Sequence, residues 1–197
     1  MSDLFNLEKQ LAFYRSYHYN NINVLLHSIF IPTILFTATG ILANIKLIPF
    51  EKLPLTLRPY HDYFNLGVLL FSIGYSTFYI LLDQIAGLIA LPILILFGYI
   101  NTIALNTVEN YNSYIVTLFL IGWVVQFIGH GVFERRAPAL LDNLVQALVL
   151  APYFVIFEAL FLFGYRIDLH HKVDAIAVKK IEEFKANKIS EVDFKVK

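Results

Sequence analysis

VLLHSIFIPTILFTATGILAN, residues 24–44, decides the fold class. The stretch carries a single ionisable side chain, His27. Wound as an α-helix it covers ~30 Å, the thickness of a bilayer's hydrocarbon core. Pro32 does not count against this reading. Membrane helices tolerate proline where neighbouring groups satisfy the freed carbonyl.

Four further apolar stretches follow, at 65–82, 86–105, 114–129 and 144–164, the fourth of the five being short for a span. Pro92 and Pro152 lie inside two of them, and Glu158 is the one acid within them. The whole chain agrees with its segments. Of 197 residues, 58% are hydrophobic and 15% charged, with mean hydropathy +0.64. Soluble domains are about 45–50% apolar and about 25% charged. A chain this short cannot hide so much apolar surface from water. An ordinary soluble monomer is excluded, and so is intrinsic disorder, which needs low hydrophobicity and high net charge. The predicted fold is all-α: a multipass membrane helix bundle of four to five apolar segments.

The flanks differ in character. Leu4, Phe5, Leu7, Leu11, Ala12, Phe13 and Tyr14 recur at helical spacing, which predicts an amphipathic helix lying at the interface or against the bundle. Residues 166–197 hold 14 of the 30 charged side chains, and Val173 to Phe184 again has helical spacing. Residues 1–165 therefore read as an integral membrane catalytic domain, and 166–197 as a charged, solvated, cytosolic helical tail. No cleaved signal is expected at the N-terminus. No basic face interleaved with aromatics stands out, so nucleic acid is not an expected partner.

Lysine and arginine favour the cytoplasmic side. A cytoplasmic N-terminus brings the chain back to the cytoplasm at residues 130–136, where Arg135 and Arg136 stand. A fifth full span would put the basic tail on the far side. Residues 144–164 are therefore expected to form a re-entrant hairpin bending near Pro152, with a full span as the alternative. Lys46, Lys52 and Arg58 fit this topology poorly.

Cysteine is absent, which excludes disulfides, thiolate metal sites and cysteine nucleophiles together. The six histidines are the informative residues. His18 and His27 flank the entry to the first segment, and His130 stands at the exit of the fourth. The four-span topology places these three at one interface and similar depth. Imidazole suits Fe(II), Zn, Cu and Ni. Nine residues separate His18 from His27, about half a turn out of phase on one continuous helix. They converge only if the chain breaks between them, and Asn20, Asn21 and Asn23 supply turn and N-cap residues there. A helix ending near His18 and a second starting at Asn21 or Asn23 are expected.

Around His130, Gln126 and Glu134 share its face at i−4 and i+4. Glu134 is a candidate ligand or ring-orienting carboxylate. Asn23, Asp142, Asn143 and Gln146 are further polar candidates. Plainer readings stand beside these. A lone interfacial histidine is ordinarily just an interface residue, and Arg135 and Arg136 are accounted for by topology. His61 beside Asp62 reads as a solvated loop residue, and His170 and His171 as surface residues of the tail. Glu158 is costly to bury unless functional or facing a polar cavity. The sequence has no GxSxG, P-loop or GxGxxG, and it lacks the clustered histidine boxes of membrane desaturases.

Two blocks carry a resemblance. Tyr17-His18 through Asn23 and His27 to Pro32, then Gly122-Trp123 through Gln126, His130, Glu134, Pro138, Asp142 and Asn143 to Pro152, resemble the yeast 2-hydroxy fatty acid dioxygenase family. This is a small multipass family of the endoplasmic reticulum. The resemblance covers about residues 5–165 and leaves out His61, His170 and His171. It implies Fe(II)-dependent α-oxidation of a long-chain 2-hydroxy fatty acid by dioxygen. The product is an odd-chain acid one carbon shorter, in phytosphingosine breakdown. The family's histidines fall on His18, His27 and His130. A 2-hydroxy acid offers its hydroxyl and carboxylate as a chelating pair, and three protein ligands leave room for that pair and for dioxygen. The acyl chain would lie among apolar helices, with Arg135 or Arg136 able to attract the carboxylate. A non-catalytic lipid-binding or transport scaffold is the alternative, separable by metal dependence.

Overall fold

The computed structural model describes residues 3–48, 50–60, 63, 65–138 and 146–195. Among them the regular structure is helix alone. Seven α-helices run in chain order: α1 Leu7–Tyr17, α2 Asn21–Ala43, α3 Leu66–Leu82, α4 Gln84–Thr107, α5 Tyr111–Ile128, α6 Ala151–Leu162 and α7 Ile167–Lys195. Gly129–Glu134 and Gln146–Leu150 are wound as π-helix. Asp142, Asn143, His61 and Asp62 lie outside the described residues, as does the side chain of Gln146.

Among the described residues, three helices are long and apolar enough to cross a membrane: Asn21–Ala43, Gln84–Thr107 and the continuous run Tyr111–Glu134. The short fourth segment of the sequence reading is thus a 24-residue helix, because polar Tyr111, Asn112 and Ser113 extend it at one end and the π-turn at the other. Leu66–Leu82 and Leu148–Leu162 are shorter apolar helices. Large apolar side chains such as Leu25, Leu70, Leu88, Leu120 and Val124 stay more than half exposed. In water such faces would drive aggregation; acyl chains are the solvent that suits them.

The chain divides into two compact units. One is Leu25–Ile128, comprising α3, α4, α5 and α2 beyond its first turn. Its turns are set by short polar side chains. Asn65 caps α3 by accepting from the Val68 N–H at 3.0 Å, and donates to the Ala43 carbonyl at the end of α2 at 2.8 Å. Asp83 closes α3 and caps α4 through the Ala86 N–H. The two helices so joined pack face to face. A Cβ at Gly87 would strike the Ile80 backbone, and one at Gly98 would strike the Val68 side chain. Asn101, fully buried, donates to the Phe97 and Phe36 carbonyls and to the Thr39 hydroxyl, and accepts from the Tyr111 hydroxyl at 2.9 Å. That one amide ties α2, α4 and α5 where no water can substitute. Thr33, Thr37 and Thr102 return their hydroxyls to carbonyls of their own helices.

The other unit joins residues 1–24 to 129–197. Asn6 caps α1 by accepting from the Lys9 N–H. The helix buries Leu7, Leu11, Tyr14 and Tyr17, the face the spacing predicts. Pro152 sits in the first turn of α6, where its missing N–H costs nothing. The charged tail is helical as expected, but it is not solvated all round. Val173, Ala177 and Ile181, at i, i+4 and i+8, are buried where α7 packs against α1. Fully burying one valine or isoleucine stabilises by about 1.5–3 kcal/mol, which outweighs what the solvated charges would gain by separation.

Candidate metal centre

α1 ends at Tyr17, with His18 as its C-cap residue at φ −131°, ψ 72°, and α2 starts at Asn21. The break falls where the asparagines predict it. His27 then follows Asn23 by one turn on α2, and His130 lies in the π-turn that continues α5. All three imidazoles are buried. One nitrogen from each lies within 4.8 Å of the other two. Among the described residues this is the group of histidines and acids able to hold a metal ion.

The orientation of His18 is fixed from two sides. Its Nδ1 lies 2.7 Å from the Tyr14 carbonyl oxygen, so that nitrogen donates and Nε2 carries the lone pair. The Tyr14 ring stacks on the imidazole at 3.8 Å and 10°, and Phe154 stacks on Tyr14 at 4.0 Å. Burial pushes the Tyr14 phenol well above its ordinary pKa, and the Glu158 carboxylate adds to the effect, so the ring stays neutral. His18 and His130 meet edge to face at 4.8 Å.

Gln126, His130 and Glu134 are all buried along one helix, as their spacing predicts. The winding over the last part is π rather than α, which widens the turn carrying His130, and a Cβ at Gly131 would meet nothing within 4 Å. Such turns recur at functional sites because they re-aim a side chain without ending the helix. Glu134 is 1% exposed. Its Oε1 accepts from the Asn20 N–H and from Asn23 Nδ2, both at 2.9 Å. The carboxylate therefore faces the N-terminus of α2, where the helix dipole favours negative charge. Its Oε2 is buried without a hydrogen-bond partner among the described residues, and so is Gln126 Nε2. An acceptor and a donor, one turn after and one turn before His130, are thus unused among the described residues.

The remaining polar candidates are engaged elsewhere. Arg136 lies between the rings of Tyr17 and Phe184, at 3.4 and 4.3 Å, and donates to the Ser16 carbonyl. Glu158 faces Arg15, with 3.9 Å between them. His170 stacks on Phe161 and pairs with Asp174. The sequence reading missed Tyr14. The signal was available: an aromatic residue four before a candidate ligand on an amphipathic helix shares its face.

A buried cluster of three imidazoles, one with its tautomer fixed by a carbonyl, fits a divalent transition metal with open coordination positions. The profile of the family described as 2-hydroxy-palmitic acid dioxygenase Mpo1-like matches residues 4–162, which take in all three histidines. The chain is 44% identical over 162 residues to the 2-hydroxy-palmitic acid dioxygenase MPO1 of Saccharomyces cerevisiae, covering 82% of this chain and 84% of that one. No solved structure matches. The chain belongs to the Mpo1-like family of 2-hydroxy-palmitic acid dioxygenases.

Proposed function

We propose that this protein is an Fe(II)-dependent dioxygenase of the endoplasmic reticulum membrane. It removes one carbon from long-chain 2-hydroxy fatty acids, as a step of phytosphingosine breakdown. The observation that carries the reading is the buried group His18, His27 and His130 in a member of this family. These three would hold the metal. Iron(II) bound there would supply the redox chemistry of dioxygen and a Lewis acid for the substrate's chelating head.

The overall change balances without an outside reductant. One 2-hydroxy acid and one dioxygen give the shortened acid, carbon dioxide and water. Four electrons leave the first two carbons of the substrate, and four reduce the two oxygen atoms.

The chain's own residues bind and orient. A 2-hydroxy acid presents an acceptor, its carboxylate, beside a donor, its hydroxyl. Among the described residues, Gln126 Nε2 is a buried unused donor and Glu134 Oε2 a buried unused acceptor, flanking His130 on one helix. In this reading Gln126 binds the carboxylate, and Glu134 accepts the hydroxyl's hydrogen bond and its proton. Asn23 fixes Glu134. Asp142 and Asn143 remain candidates for the same polar wall. An ordinary fatty acid, lacking the hydroxyl, leaves Glu134 Oε2 unsatisfied, and a buried acceptor left so costs about 1–3 kcal/mol. The acyl chain would lie along the apolar helices, with the head at the cytosolic interface.

The test is oxygen consumption by the purified protein with 2-hydroxypalmitate, with and without an iron chelator. Chelation should abolish uptake and added Fe(II) restore it, with pentadecanoate as product. Replacing His18, His27 or His130 by Ala should abolish turnover and iron retention together. A metal-free preparation with full activity would overturn the assignment.

A further inference from the structure

The family profile ends at residue 162, yet α7 packs on the helix that leads into His18. Its contacts fall beside the two segments that carry His18 and His130. Asp174 accepts from Arg15 Nε at 3.1 Å, and Nη1 of the same arginine donates to the His18 carbonyl at 3.3 Å. One guanidinium thus joins the tail to the backbone of a histidine in the metal group. Farther along α7, Phe184 closes over Arg136 from the side opposite Tyr17, and Arg136 donates to the Ser16 carbonyl. Arg136 stands two residues after Glu134. Lys185 lies over the Tyr19 ring at 5.0 Å, and the Tyr19 hydroxyl donates to the Glu134 carbonyl at 3.1 Å.

The location gives these contacts their force. His18 stands at a helix end, where the last carbonyls lack helical partners and the chain is least restrained. A cation there suits the helix dipole, but an arginine side chain has many rotamers and must be held. Asp174 holds it, and Asp174 is in turn 3.3 Å from His170, which is stacked on Phe161 of α6. The buried stripe Val173, Ala177 and Ile181 packs α7 on α1, and residues that pack only by apolar surface carry no direction of their own. The Asp174 and Phe184 contacts fix the register of α7.

We propose that α7 is a clamp on the metal centre, with Asp174 and Phe184 as positioning residues for His18 and His130. The clamp joins the end of α1 to the π-turn from outside the family-matched stretch. Its effect on metal rests on the three-histidine reading; its mechanical part does not.

The experiment uses the full-length protein with Co(II) as the probe, following its visible absorption and its affinity by chelator competition. Amide hydrogen exchange is measured over residues 14–19 and 129–134 in the same samples. Asp174→Asn and Phe184→Leu should each speed exchange in these two segments and alter the Co(II) spectrum. Co(II) affinity should fall about tenfold, the usual scale for partners that orient metal ligands. Asp174→Glu should restore most of it, which a general loss of stability would not allow. Lys179→Ala, exposed on the same helix, is the control. The clamp is overturned if both variants match Lys179→Ala in exchange and spectrum. If the unsubstituted protein takes up no Co(II), the metal reading fails, and exchange alone decides the clamp: faster in the two segments supports it, unchanged overturns it.

Discussion

Asn23 Nδ2 donates to Glu134 Oε1 at 2.9 Å, with both groups fully buried. His27 lies one turn beyond Asn23, and His130 one turn before Glu134. The start of α2 and the end of the π-turn are therefore fastened to each other one turn from two of the three buried histidines. The Asn20 N–H, donating to the same oxygen, makes the fastening a cap as well.

Removing either side of this fastening should cost both stability and metal. Asn23→Ala leaves a buried carboxylate short of a donor, a loss of about 1–3 kcal/mol. Glu134→Gln keeps the shape and an acceptor oxygen for Asn20 and Asn23, but it loses the charge that strengthens both hydrogen bonds and puts an N–H₂ where Oε2 stood. Thermal unfolding of the metal-free protein should register both changes. If Glu134 also accepts from the substrate hydroxyl, Glu134→Gln loses far more kcat than its stability loss explains. Equal, small losses in both variants would confine Glu134 to capping.

The ring and the hydroxyl of Tyr14 can be separated. Tyr14→Phe keeps the stack on His18 and the carbonyl that receives Nδ1, so Co(II) affinity should stay within about twofold. Tyr14→Leu removes the stack, worth about 0.5–1.5 kcal/mol, and should weaken affinity by up to about tenfold. Chelator competition measures both. An equal loss in both variants would assign the role to the hydroxyl, which both lack.

Gln126 should govern substrate rather than metal. Gln126→Leu removes the unused donor without adding charge, and a hydrogen bond to a carboxylate contributes about 1.5–3 kcal/mol. The expected result is KM for 2-hydroxypalmitate raised about tenfold or more, with Co(II) affinity unchanged. Loss of metal with unchanged KM would place Gln126 in the coordination sphere instead.

Asn101 should matter for folding alone. Asn101→Leu strands the Tyr111 hydroxyl and the Thr39 side chain in the unit spanning residues 25–128 and should lower stability by about 1–3 kcal/mol. The rate per folded molecule should be unaltered. Unfolding by heat, paired with kcat normalised to folded protein, separates the two quantities.

Much of this was readable before any coordinates. The break between His18 and His27 follows from three asparagines in four residues, because asparagine satisfies a helix start with its own side chain. The buried line Gln126, His130, Glu134 follows from a four-residue period. Tyr14 was readable by the same rule, but a ring that orients a ligand by stacking has no sequence mark apart from any other buried aromatic. Asp174 and Phe184 were not readable. They lie far from their partners along the chain, in a segment whose charge suggests solvent, and nothing local marks which of its charges are paired.

The sequence by itself determined the solvent and narrowed the candidate ligand types. Long apolar runs demand a lipid surround, and a chain without cysteine leaves imidazole and carboxylate to hold a metal. Only the tertiary structure decided which polar atoms are used up. It put Arg136 between two rings and Glu158 against Arg15, bound one oxygen of Glu134 to α2, and left Gln126 Nε2 and Glu134 Oε2 beside His130 without a partner among the described residues. Hydrogen bonding saturates: an atom that has a partner inside the protein has little left to offer a ligand. Which atoms are taken depends on contacts between residues more than 100 positions apart, and sequence spacing does not encode those contacts.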